Sequence, residues 1–314
     1  MIGNVKAQIM ARFGFAEPSP YRGLKKGAAI VGRANRRKKT PRTWAMRVAV
    51  ITPYYKEPNE LLEQCRASVV DQTVACDHVF VADGFPNSSV GRWGAKHFIL
   101  PNAHGDAGNM ARVIGSLSAF AQGYDAVAFL DADNWYRSDH IQRLLELHHR
   151  TGAAVCSSRR SMHRADGTYM FDDSKSDGRT HVDTNCLFLT RPCLPIIARW
   201  AHMPRELYPV GDSVYWSSIR SSGLSRSHEP ISTVCYRTTW EADYKRMGEP
   251  APAGSKTLAF TDQPYYWFKS LPVRDRWRIW QDFGFPLRRR TVAKLVGQYA
   301  LSRLSPYSYL GAKT

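Results

Sequence analysis

Two carboxylates spaced i, i+2, Asp131 and Asp133, follow an apolar run from Ala126 to Leu130. If a strand ends at Asp131, the turn into Asn134 and Trp135 can aim both acids at one point. Hard oxygen ligands grouped in this way suit Mg²⁺ or Mn²⁺ and leave positions on the ion for a phosphate. A bare Asp-x-Asp is common, and the same acids would equally cap a following helix. Their meaning depends on what the rest of the chain places beside them.

The elements that would place them are short and alternate in type. Arg47 to Thr52 is a β-branched run that Pro53 is expected to end, and a run without polar alternation suits a strand covered on both faces. Asn59 can cap a helix from Glu60, with Leu61, Leu62, Cys65, Val69 and Val70 inward. His78 to Ala82 is a second strand, stopping at Asp83-Gly84, and His97 to Leu100 is a third. Gly105 to Gly108 turn into a helix from Asn109 to Gln122, and Ala126 to Leu130 is a fourth strand. This alternation predicts a doubly wound α/β domain, in which ligands bind at the carboxyl ends of the strands. Thr52, Asp83 and Asp131 all fall at such ends.

These pieces, taken in order, resemble the family 2 glycosyltransferases. The resemblance rests on Val50-Ile51-Thr52-Pro53-Tyr54-Tyr55-Lys56-Glu57, on Ser68-Val69-Val70-Asp71-Gln72-Thr73, and on Val81-Ala82-Asp83-Gly84. It continues through Gly108-Asn109-Met110-Ala111-Arg112, Leu130-Asp131-Ala132-Asp133 and Gly211-Asp212-Ser213-Val214-Tyr215-Trp216, and spans roughly residues 48–225. Gly211 stands where the family often has Glu, and Asn134 where another acid often follows; neither change removes an essential carboxylate.

The resemblance implies a GT-A fold: α/β, with a Rossmann-like, mostly parallel sheet flanked by helices, here carrying basic amphipathic N- and C-terminal extensions. It implies a metal-dependent inverting transfer from a nucleotide-sugar, with a UDP-sugar favoured, to a saccharide or lipid-linked acceptor. The cofactor would be Mn²⁺ or Mg²⁺. Asp133 would be the direct metal ligand, and Asp131 would contact the ribose or a metal-bound water. His228, the only histidine after Asp212, would be a third ligand, against the plainer reading of a structural loop histidine. Asp83 would accept the imide N–H of uracil. Pro53 and Tyr54 would wall the base, Thr52 would hold the base or ribose, and Glu57 belongs to the same donor-binding loop. Arg112 would approach the phosphates or else pair with Asp106 or Asp131. Asp212 would deprotonate the acceptor hydroxyl, cap its helix, or do both. Asp183 and Asn185, at the start of a strand over 181–190, would bind sugar hydroxyls or serve as edge-strand polar groups. Arg159 to Arg179 is expected as a mobile loop near the acceptor.

Charge divides the chain into three. Residues 1–46 carry 11 Lys/Arg against Glu17, and residues 271–314 carry 9 against Asp275 and Asp282, out of a total of +17. The stretch 47–270 balances at zero, which argues against a nucleic-acid partner. The expected organisation is a basic arm over 1–46 with a short amphipathic helix, a catalytic domain over 47–245, and an aromatic, basic helical extension over 246–314. Cationic ends suit an anionic membrane surface, or else are solvated tails. Apolar content of 43% marks a globular chain, no apolar run reaches the ~18 residues of a membrane span, and the six cysteines form no paired framework. A cytoplasmic protein, peripheral on the inner face of the membrane, is expected. Two rivals remain at this level. A nucleotidyltransferase on a similar fold usually carries a Gly-rich basic loop after its first strand, which Pro53 to Glu57 lacks. A non-enzymatic basic nucleic-acid-binding protein would work through its tails.

Overall fold

The computed structural model describes residues 46–257, 259–284 and 300. The expected helix over 1–15, the basic arm over 21–42 and the arginine run at 288–290 lie outside them.

The β-branched run that opens the domain becomes β1 (Val48–Tyr54), buried at all seven positions. It lies between β2 (Asp77–Asp83) and β4 (Ala126–Phe129), and β3 (Lys96–Leu100) pairs with β2; all three ladders are parallel. The connections are helical: α1 (Asn59–Val70), α2 (Ser88–Arg92) and α3 (Asn109–Ala121). Helix α3 lies close on the sheet because Gly115 has no side chain; a Cβ there would meet Ile51 Cγ2 at 2.7 Å.

Two local expectations are corrected. Pro53 does not end β1, which continues to Tyr54 in register with Ala82. Pairing with β4 stops at Ile51–Phe129, so the missing N–H of Pro53 falls where β1 has a neighbour on one side only. Asn59 does not cap α1: Pro58 is the N-cap, and Asn59 instead donates to Glu63 at 2.8 Å.

The second half extends the sheet with mixed strands. These are β5 (Trp135–Tyr136), β6 (Val155–His163), β7 (Tyr169–Asp172), β8 (Leu187–Thr190) and β9 (Arg226–Arg237). The sheet runs β3-β2-β1-β4-β8-β6-β9-β5, with β7 added to β6. Helices α4 (His140–Thr151), α5 (Leu194–Ile197), α6 (Gly211–Ser221), α7 (Glu241–Arg246), α8 (Ala259–Ser270) and α9 (Val273–Phe283) complete the described chain. Residues 159–172, expected as loop, are therefore largely the hairpin β6–β7. Its polar residues are accommodated by pairing: Arg160, buried on β6, binds Asp173 at 2.9 Å and also Asp183.

The core beneath the strand ends is aromatic. Trp200 stacks on Tyr215 at 3.6 Å between centroids and meets Phe129 edge-on at 4.8 Å. Burying aromatic and aliphatic groups of this size stabilises by about 1.5–3 kcal/mol each, and here it fixes the strand that delivers Asp131. Phe268, Ile279 and Phe283 join the same core, so α8 and α9 pack on it. Among the described residues no helix is long and apolar enough to cross a membrane.

Candidate active site

A cleft of about 440 Å³ opens at the carboxyl ends of β1, β2 and β4. The end of β1 supplies Pro53, Tyr54, Tyr55 and Glu57, and β2 supplies Asp83. The turn before α3 supplies Gly105 to Gly108, with Arg112 one turn into the helix. The end of β4 supplies Asp131 to Asn134, and Tyr236 and Lys256 close the far side. Among the described residues the wall thus holds five carboxylates (Glu57, Asp83, Asp106, Asp131, Asp133) against two cations, Arg112 and Lys256.

Asp131 is held on every side. Arg112 binds its Oδ1 and also donates to the Ala107 carbonyl at 2.8 Å. Asn185 accepts the Asp131 N–H and donates from Nδ2 to Oδ2 at 3.0 Å. Asn185 in turn donates to Asp183 at 2.7 Å, and Asp183 pairs with the buried Arg160. A chain of hydrogen-bonded charges therefore runs from the cleft wall to the middle of the sheet. Arg112 has taken the ion-pair alternative with Asp131, and Asp183 and Asn185 support the site from beneath.

Asp133 differs. Burial and the neighbouring charges of Asp131 and Glu57 push its carboxyl up to about 7. Such a carboxylate is poised for a cation. Asn134 holds the turn in place by accepting the Arg237 N–H at 2.8 Å, and Arg237 Nε donates to the Asp133 carbonyl at 3.1 Å. Among the described residues no three His, Cys, Asp or Glu side chains gather as a closed metal cluster. The donor set fits a hard ion held by one or two carboxylates, with its other positions left to ligand oxygens and water.

His228 does not join this set. It lies on β9 in register with Ser157, shares a hydrogen bond with Ser157 Oγ at 2.9 Å, and packs against Gly178. Its ring is taken up by the sheet, and it does not line the cleft. Thr52 is also turned away. It is fully buried, with Oγ1 hydrogen-bonded to His78 Nε2 at 2.8 Å. Tyr54 lines the cleft, but its hydroxyl is engaged by His97 Nε2 at 2.7 Å and by the Asn87 N–H at 2.8 Å. The exposed aromatic at the rim is Tyr55, edge-on to Phe85 at 4.7 Å with Lys56 Nζ 4.1 Å from the Phe85 centroid. Glu57 accepts the Tyr55 N–H at 2.6 Å, which fixes this rim.

Asp83 is 5% exposed and is gripped by His104, whose backbone N–H reaches Oδ1 at 3.0 Å and whose Nδ1 reaches the same oxygen at 2.7 Å. Asp212 lies in the first turn of α6, where Val210 rather than Asp212 is the N-cap. Its Oδ1 accepts from Thr184 Oγ1 at 2.7 Å. Burial and the nearby Asp183 raise its carboxyl above the usual range. Thr184 and Asn185 are adjacent, so one short turn holds Asp212 with one residue and Asp131 with the next. Sequence reasoning did not assign His104, Tyr236 or Lys256 to the site, and had Asn185 as a sugar contact or an edge-strand polar group. No motif marks them; the fold brings Tyr236 and Lys256 to the cleft wall, His104 to Asp83 and Asn185 to Asp131.

Residues 49–196 match the family model described as Glycosyl transferase family 2. That stretch is similar to the family 2 glycosyltransferases. Its architecture is the GT-A fold that the sequence resemblance implied, with a parallel half-sheet flanked by helices. The matched stretch holds Asp83, Arg112, Asp131, Asp133 and Asn185, while Asp212, Tyr236 and Lys256 come from beyond it. Solved structures similar to it include S. aureus TarS 1-349 in complex with UDP, at 13% identity over 64% of this chain and 63% of that one, with a TM-score of 0.47. S. aureus TarS 1-349 in complex with UDP-GlcNAc is similar at 13% identity over 64% of each chain, with a TM-score of 0.41. The chain thus spans just under two thirds of those structures. No curated protein matches its sequence.

Proposed function

We propose that the protein is a metal-dependent, inverting glycosyltransferase that moves a sugar from a nucleotide-sugar, by preference a UDP-sugar, to a saccharide or lipid-linked acceptor. The observation that carries this reading is the charge of the cleft. The five carboxylates against two cations among its described residues would repel a nucleoside diphosphate unless a divalent cation came with it. Asp133, with Asp131 beside it, would hold that Mn²⁺ or Mg²⁺. When bound, such an ion supplies Lewis-acid charge to the departing diphosphate.

The chain's own residues divide the remaining work. Asp83, fixed by His104, accepts the imide N–H of the base, and Pro53 and Tyr55 flank the base. The turn Gly105 to Gly108 before α3 lies on the phosphate side, with Asp106 accepting the Met110 N–H at 2.7 Å. Asp212 takes the proton of the acceptor hydroxyl. The acceptor oxygen bonds to the anomeric carbon on the face opposite the departing diphosphate, and configuration inverts. A carboxyl raised toward neutrality is suited to that task, because a base works best with a pKa near the working pH.

The acceptor is proposed to lie at the cytoplasmic leaflet, with the cationic ends resting on anionic lipid. Cosedimentation with anionic but not neutral vesicles tests that part. The central test is release of UDP from UDP-sugars with and without Mn²⁺. Turnover is expected to require the metal and to vanish in Asp133→Ala. Near-normal turnover in EDTA or in that variant would contradict the proposal.

A further inference from the structure

We infer that Lys256, supplied from beyond the family-matched stretch, is a diphosphate-binding residue of this cleft. The inference rests on the donor reading above and adds to it a residue that no sequence motif marks.

Lys256 lines the cleft together with Asp131, Asp133 and Tyr236. Its place is set by the backbone. Its N–H donates to the Thr239 carbonyl at 2.7 Å, and its carbonyl accepts the Glu241 N–H at 2.9 Å. The segment between these bonds contains α7 and is tied down twice. Tyr244 is buried, and Glu249 forms a two-pronged ion pair with Arg164 of the β6–β7 turn, at 2.6 and 2.8 Å. The lysine is thus carried on a fixed loop to the cleft that Asp131 and Asp133 also line.

Both cations among the described cleft residues have protein contacts: Arg112 binds Asp131 and the Ala107 carbonyl, and Lys256 Nζ lies 5.6 Å from the Trp240 ring centroid. A nucleoside diphosphate carries two to three negative charges, and the Asp131–Asp133 pair that would hold the ion is itself anionic. Lys256 supplies the further positive charge on the side where the diphosphate would meet Asp133. When the bond from the anomeric carbon to the diphosphate oxygen breaks, its electron pair stays on that oxygen. The lysine remains protonated and meets the added charge.

The test compares UDP with uridine, both with Mn²⁺, by calorimetry on wild type, Lys256→Met and Lys256→Arg. Lys256→Met is expected to weaken UDP by about tenfold or more and leave uridine unchanged, because only UDP has the charge the lysine meets. Lys256→Arg is expected to stay within a few-fold of wild type. Since the backbone makes the anchoring bonds, the melting temperature of Lys256→Met should match wild type. A destabilised Met variant would be replaced by Lys256→Gln with the same expectation. If wild type binds UDP and Lys256→Met binds it equally well, this inference is overturned and the donor reading stands. If wild type binds no nucleoside diphosphate, the donor reading falls and takes this inference with it.

Discussion

Asn185 grips Asp131 at both ends, accepting its backbone N–H and donating to its carboxylate Oδ2 at 3.0 Å. One amide thereby fixes both the end of the β4 strand and the direction of the acid that follows it. Asp183 holds the same amide from behind at 2.7 Å. Asn185→Ala is expected to leave the Asp131 N–H without its partner and to cost about 1–3 kcal/mol of stability. Loss of a group that orients a metal-side carboxylate is expected to weaken Mn²⁺-dependent UDP binding by about 10–100-fold. Urea unfolding and a Mn²⁺ titration with UDP present read the two effects separately.

Asp212→Asn should separate binding from transfer. The amide preserves shape but cannot take a proton, so turnover is expected to fall by about 10²–10⁴ while UDP affinity stays within a few-fold. Initial rates and calorimetry on one preparation decide it, and an active Asp212→Asn would reassign the base.

Thr184→Val tests the same carboxylate from its other side. The Thr184 hydroxyl stabilises the ionised form of Asp212 and holds its pKa below where burial alone would put it. Removing the hydroxyl should raise the pKa, so the acidic limb of the kcat profile is expected to move to higher pH. A limb that moves down or not at all would contradict the proposed base.

Asp133 gives a pH dependence with a definite sign. Its folded pKa of about 7 stands above the unfolded value of 3.8, so between these the folded chain binds more protons than the unfolded one. Without metal, stability should therefore fall as pH rises through that window. Mn²⁺ requires the ionised acid, so its affinity is expected to climb about tenfold per pH unit and level off above pH 7. Calorimetric titrations across the window measure this, and a pH-independent affinity would exclude Asp133 as the ligand.

Gly108→Ala probes the wall between β1 and α3. Gly108 has φ of +79°, and a Cβ there would lie 2.9 Å from Pro53 Cβ. Strain of this kind costs about 1–3 kcal/mol, and a thermal melt should show the loss. Nucleotide affinity should fall with it, because the wall and the helix N-terminus separate.

What the sequence disclosed follows from what patterning can encode. Strands β1 to β4 and helix α3 were readable, because continuous apolar runs between turn residues have few other uses. The Asp83, Asp131 and Asp133 positions followed from those strand ends. Strand β6 was not readable: Ser157, Arg159, Arg160 and Ser161 look like loop until Asp173, Asp183 and β9 arrive from far along the chain. Thr52 and His228 failed for a related reason. Each stands in a plausible stretch, but the direction of a strand side chain depends on register, and both point into the packed sheet. Lys256 reaches the cleft, and His104 reaches Asp83, only because the fold brings loops there from other parts of the chain.

The most direct test of the account is equilibrium binding of UDP with Mn²⁺ and, separately, with EDTA, followed by thermal unfolding. A ligand that binds only the folded state stabilises by about 2.7 kcal/mol at a hundred times its dissociation constant, which a melt resolves easily. The predicted result is a clear upward shift with UDP and Mn²⁺ together, little with either alone, and none in Asp133→Ala. Equal stabilisation by UDP in EDTA, or none by any nucleoside diphosphate, would contradict the account.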